Sequence, residues 1–196
     1  MPPSLTPPES NDRRAFCAAL ALALAALAWS RQVAADVIET AGPVEVRVLD
    51  EEVVLNADFR LGLTPTLEEA LSRGIPLYFV LDVEIVRPRW YWLDEKVANA
   101  QTTYRVSFQP LTRQYRVASG LLSQTFDSLD EVERLIGRVN ARPVARVADL
   151  EKGTRYDAIV RLRLDVNQLP KPFQVNALAS REWQLASPVV RVPFTP

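Results

Sequence analysis

Ile75-Pro76-Leu77-Tyr78-Phe79-Val80-Leu81-Asp82-Val83-Glu84-Ile85-Val86-Arg87 is the stretch on which the fold turns. Aromatic and branched residues dominate it, and apolar side chains recur at every second position. Leu77, Phe79, Leu81, Val83 and Ile85 share one face, while Asp82 and Glu84 fall on the other. A period of two over this length predicts a long strand with one dry face. Pro88 interrupts the run, and Arg89-Trp90-Tyr91-Trp92 resumes it.

Working outward, the same period marks residues 44–48 and 53–61 as strands, with Val53, Leu55, Ala57, Phe59 and Leu61 on one face. Between 61 and 75 the period changes. Thr64 suits an N-cap, Pro65 the first helical position and Gly74 the closing turn, with Leu67, Ala70 and Leu71 as the apolar stripe. Residues 94–100 fit no single pattern. Residues 103–109 and 113–118 alternate again around Pro110-Leu111-Thr112, which predicts a β-hairpin. Ser128-Leu129-Asp130-Glu131 is a capping box, and helical spacing runs on to Asn140, where Pro143 is expected to stop it. A short strand at 144–147 follows, and then one at 156–166, where Ala158, Val160, Leu162 and Leu164 alternate with Arg161, Arg163 and Asp165. Strands joined by short turns, with two short covering helices, predict an α+β fold, mainly antiparallel β, as a sheet or a sandwich.

The N-terminus has a different character. Arg13 and Arg14 precede an uncharged Ala/Leu-rich stretch, residues 15–30, and Val33-Ala34-Ala35 offers small residues at the positions a signal peptidase reads. Cleavage between Ala35 and Asp36 is the expectation, with an uncleaved inner-membrane anchor as the alternative. The stretch is shorter than the roughly 20 residues of a spanning helix. Arg13-Arg14-Ala15-Phe16 also matches part of a twin-arginine signal, so both export routes stay open. This reading makes residues 1–35 a leader, residues 36–196 a single β-rich domain, and the compartment the periplasm.

Composition excludes much chemistry. Cys17 is the only cysteine and histidine is absent. Past residue 35, disulfides, thiolate catalysis, Cys/His zinc sites and Ser-His-Asp triads are therefore ruled out. No phosphate-binding glycine motif occurs among six glycines, and neither a cofactor nor a metal is expected. Without the leader, Lys plus Arg falls from 23 to 20 and Asp plus Glu from 24 to 22. That near-balance speaks against nucleic acid or anionic lipid as the main partner.

Four candidate sites remain, each with a plainer explanation. Arg87, Arg89, Trp90 and Trp92 combine cations with aromatic rings, which stack on sugars, peptides or lipid headgroups. Alternation would put Trp90 and Trp92 together, and the plainer explanation is that both close the core. Trp90, beside Arg89, is expected exposed, and Trp92, beside Leu93, buried. Arg105, Arg113, Arg116, Arg161 and Arg163 could form a basic stripe, or pair with Asp82, Glu84, Asp157 and Asp165 across strands. Asp82 and Glu84 could serve a carboxylate hydrolase, although any i, i+2 pair has their spacing. Gln168 to Phe173, with Pro170 and Pro172, reads as an extended polyproline crossover or partner surface.

Gly74-Ile75-Pro76-Leu77-Tyr78-Phe79, Arg89-Trp90-Tyr91-Trp92, Leu111-Thr112-Arg113-Gln114-Tyr115-Arg116-Val117 and Leu169-Pro170-Lys171-Pro172 together resemble the DUF4390 family of exported proteobacterial proteins, a domain of unknown function. The resemblance spans residues 44–183 and leaves the Pro-rich leader and the tail at 187–196 outside. It implies an N-terminal signal or anchor. Genes of the family often neighbour a nitrogen-regulation-type sensor kinase, which implies an accessory role in the envelope. No catalytic residues come with it. The expectation is a non-enzymatic periplasmic binding or interaction domain with an envelope or inner-membrane protein partner, touching the membrane only through its N-terminus. A carboxylate-dependent envelope hydrolase is the alternative.

Overall fold

The computed structural model describes residues 38–91 and 93–196. Among these described residues, ten strands and three α-helices follow one another: β1 (Ile38–Thr40), β2 (Glu45–Leu49), β3 (Glu52–Leu61), α1 (Pro65–Ser72), β4 (Leu77–Arg87), β5 (Glu95–Gln109), β6 (Gln114–Ser119), β7 (Leu122–Phe126), α2 (Leu129–Gly137), β8 (Arg138–Arg146), β9 (Tyr156–Leu164), α3 (Lys171–Ala179) and β10 (Val190–Phe194). Every strand pairing is antiparallel. The fold is a β-rich α+β fold.

In the smaller sheet, β1 and β2 lie end to end along one edge of β3, and β8 runs along the other. The larger sheet has the order β10-β9-β4-β5-β6-β7. β4 sits inside it, and its dry face of Leu77, Phe79, Leu81, Val83 and Ile85 is fully buried. The dry faces of β3 and β9 complete the same core, with Leu55, Phe59, Val160 and Leu162. β4 is drier than its alternation suggests, because Val80 and Val86, on the face of Asp82 and Glu84, are buried as well. The ambiguous residues after Asp94 belong to β5, whose partner β4 supplies the order their own pattern lacks.

Both expected helices form at their caps. Thr64 Oγ1 accepts from Leu67 N at 3.3 Å, and Ser128 Oγ from Glu131 N at 3.4 Å. α2, however, stops at Gly137 instead of Asn140, and β8 runs straight through Pro143. Pairing with β3 outweighs the helical spacing here, and Pro143 is tolerated because β8 is an edge strand with a register shift at Pro143. Gly137 marks the closest approach, since an added Cβ would stand 2.1 Å from the carbonyl oxygen of Phe59.

The polyproline reading of Gln168 to Phe173 is corrected: Lys171–Ala179 is a third helix. Phe173 N and Gln174 N donate to Pro170 O at 2.8 and 3.3 Å, and Pro172 falls in the first turn, where no N–H is needed. Gln174 Nε2 then ties the helix to Asn167 O and Leu169 O at 2.6 and 2.8 Å. Phe173 packs on Trp183, their ring centroids 6.2 Å apart, which draws this segment into the core.

Candidate functional site

β4 and β5 pair from Leu77 to Arg87, and the chain reverses through residues 88–94. Pro88 has no N–H to extend the ladder, so the strand ends there. Residues 88–91 are not strand, and the expectation of continued alternation is corrected for 89–91. The result is a projecting tip. Trp90 is 94% exposed, Leu93 81% and Tyr91 66%. Trp90 and Tyr91 stack edge to face with centroids 5.2 Å apart, a preferred aromatic geometry.

Beneath the tip lies a set of charges. Glu95 accepts from Arg87 Nε at 2.9 Å, and from Arg87 Nη2 and Arg89 Nη2. Arg87 Nη1 reaches both oxygens of Glu151 at 3.0 Å. Hydrogen bonds from Arg87, and next from Arg89, hold the Glu95 carboxyl below the usual carboxylate range. The Arg87 guanidinium is driven further toward its charged form, first by the bond to Glu95 and then by Glu151. On the neighbouring side, Arg191 donates to Asp94 at 3.0 Å and to Asp157 at 3.2 Å. Arg155 stands 3.8 Å from Asp157, whose Oδ1 is buried without a hydrogen-bond partner, and Lys96 pairs with Glu84 at 2.6 Å.

The base is thus balanced: Arg87, Arg89, Arg155, Arg191 and Lys96 meet Glu84, Asp94, Glu95, Glu151 and Asp157. The pairs of Arg87, Arg89 and Lys96 are half-exposed and add little stability individually, whereas Asp157 is buried. Their effect is geometric: they brace the last rung of the hairpin, and the arginines are already committed to carboxylates. What the tip offers a partner is aromatic and apolar surface.

Of the residues singled out in the sequence, Arg87, Arg89 and Trp90 come together here, and Trp90 is exposed as expected. Trp92, Ala35 and Asp36 lie outside the described residues. Glu95 and Glu151 were missed. Glu95 is recognisable only once the β4–β5 register is known, and Glu151 is 64 residues from Arg87 with no local signal.

The other candidates divide. Arg163 donates across the β4–β9 pair to Asp82 at 2.9 Å, as cross-strand pairing required, and stands 3.7 Å from Asp165, two residues along its own chain. Arg105, Arg113, Arg116 and Arg161 form no ion pair among the described residues, and Arg116 bonds Ser123 Oγ at 2.6 Å. No continuous stripe results, because Arg113 sits in the β5–β6 turn and Arg161 two strands from Arg105. Asp82 and Glu84 are each engaged by a cation, Arg163 and Lys96. Among the described residues, no group of three or more Asp or Glu could hold a metal ion, and no helix is long and apolar enough to cross a membrane.

Fold and site together define a two-sheet antiparallel domain with a charge-braced aromatic tip. The family model described as Domain of unknown function (DUF4390) matches residues 40–193 of the 196, and the chain belongs to that family. No curated protein and no solved structure matches it.

Proposed function

We propose that this chain is a non-enzymatic interaction domain of the bacterial envelope that engages its partner through the β4–β5 tip. The observation that carries this reading is Trp90, the largest side-chain type, held 94% exposed on a braced turn. Leaving such a ring in water forfeits its burial: about 200 Å² at ~25 cal/mol per Å² is roughly 5 kcal/mol before entropic costs. A partner that covers Trp90, Tyr91 and Leu93 recovers that energy. The balanced base beneath them adds little desolvation penalty.

The leader-like sequence before residue 36 supports a periplasmic location, and the family's gene context supports an inner-membrane partner, a sensor kinase among them. The hydrolase alternative has weaker support, because the carboxylates it needs are tied to Arg163 and Lys96.

A photo-crosslinking residue at position 90 tests this reading in cells, with position 69 on α1 as control. A discrete adduct to a membrane protein from position 90 alone is expected. Equal labelling from both positions would overturn it.

A further inference from the structure

About 30 Å from the tip, nine residues down β5 at ~3.4 Å each, Tyr104 opens onto a cleft. Its volume is about 290 Å³, and it lies between β8, α2 and the inner face of the β6–β7 hairpin. Tyr104, Val117, Leu122 and Leu135 give it an apolar lining; Arg138 and Arg142 supply its charge, and no carboxylate lines it. Neither arginine forms an ion pair among the described residues. The carboxylates of Asp58, Asp130 and Glu133 border a separate depression on the far side of Arg138.

The position of Arg142 has a backbone cause. Val139 opposes Ala57 and Arg142 opposes Leu55, so Asn140 and Ala141 together face the single residue Asn56. This is a β-bulge, and it shifts Arg142 into the inward register position beside fully buried Leu55. Ala141 has φ 43°, in the left-handed region that disfavours a residue with a Cβ. Asn56 Oδ1 holds it there, accepting from Ala141 N at 2.8 Å. Tyr104 Oη accepts from Arg142 Nη2 at 3.2 Å, which aims the guanidinium across the cleft. Strain of this kind persists where the surroundings enforce it, and here it places an arginine that has no carboxylate.

We propose that this cleft binds an extended acidic peptide segment of a partner protein, with a carboxylate on Arg142, Arg138 adding positive charge at the rim, and an adjacent apolar side chain on Tyr104, Val117 and Leu135. Charge complementarity selects the carboxylate, since a guanidinium fork matches its two oxygens. The volume lies just below the range of small-molecule sites, so the cleft takes side chains rather than a whole cofactor. No strand pairs the outer edge of β8 among the described residues, which leaves backbone groups for an extended chain.

Fluorescence anisotropy with the full chain tests this, using a fluorescein-labelled octapeptide of alternating Leu and Glu. Saturable binding is expected, weakened at least tenfold by Arg142→Gln, by Arg138→Gln/Arg142→Gln and by replacing Glu with Gln in the peptide. Arg142→Lys, which keeps the charge, should retain part of the affinity. The Leu/Gln peptide needs no protein variant, so the test stands even if an arginine variant fails to fold. Absent binding, equal affinity for the Leu/Gln peptide, or unchanged affinity in the double variant would overturn the proposal. So would full displacement by sodium dodecanoate, which would indicate a fatty anion instead of a peptide.

Discussion

Arg87 and Glu95 are the last paired residues of the β4–β5 hairpin, and the Arg87 Nε donates to the Glu95 carboxylate at 2.9 Å across that final rung. The pair sets where the ladder stops and where the exposed tip begins. Because Arg89 and Glu151 join the same network, the tip leaves the sheet from a fixed base instead of a frayed end.

That network titrates. The folded-state value of Glu95 is depressed, so its stabilisation is present above the unfolded carboxylate value of about 4.3 and is lost as pH falls through the depressed value. Glu95→Gln should therefore melt below wild type at pH 7, with the gap closing in acid once the wild-type carboxyl is protonated. Melting curves from pH 7 to pH 2.5 check this. A constant gap over the whole range would mean that the Arg87–Glu95 bond has no charge-dependent part.

Glu133 shows the opposite sign. Burial on α2 raises its value first, and the charges of Asp130 and Glu68 add to this, while the hydrogen bond from Leu63 N at 2.9 Å opposes it. A raised folded-state value favours the fold at low pH, and that benefit is lost as pH rises through it. Glu133→Gln keeps an acceptor for Leu63 and removes the charge, so it should raise the melting temperature at pH 7 and match wild type below about pH 4. The group is half-buried, and screening keeps the gain small. A lower melting temperature at pH 7 would contradict this assignment.

Gly137 is where α2 meets β3. Gly137→Ala puts a methyl group against the backbone of Phe59, which has no flexible end to move aside. Overpacking of this kind costs about 1–3 kcal/mol, and the backbone contact places it at the upper end. Urea unfolding measures it directly. A cost below about 0.5 kcal/mol, the level of an ordinary surface change, would rule out so close an approach.

The strands were legible where one face alone is wet. β3 and β4 each carry five alternating apolar residues and β9 four, and the capping residues Thr64 and Ser128 marked the starts of α1 and α2. The failures have physical causes. Residues 138–140 continue a helical spacing but are claimed by β3 through long-range pairing. Lys171-Pro172 looks extended until Phe173 finds Trp183. At the site, the aromatic tip was visible as composition, and the exposure of Trp90 followed from Pro88 ending the ladder. Its bracing was not visible, since Glu151 and Arg191 arrive from distant parts of the chain. Arg142 was hidden for another reason: a bulge inverts the face that simple alternation would assign.

The most direct test of the tip is co-sedimentation with right-side-out bacterial inner-membrane vesicles, comparing wild type with Trp90→Ala. At 94% exposure the ring adds little to the fold, so the variant should keep its stability to within about 0.5 kcal/mol. Wild type should sediment with the vesicles, lose that association after their surface proteins are digested, and bind at least tenfold better than the variant. Equal sedimentation of the two proteins, with the fold intact in both, would contradict the tip as the contact element.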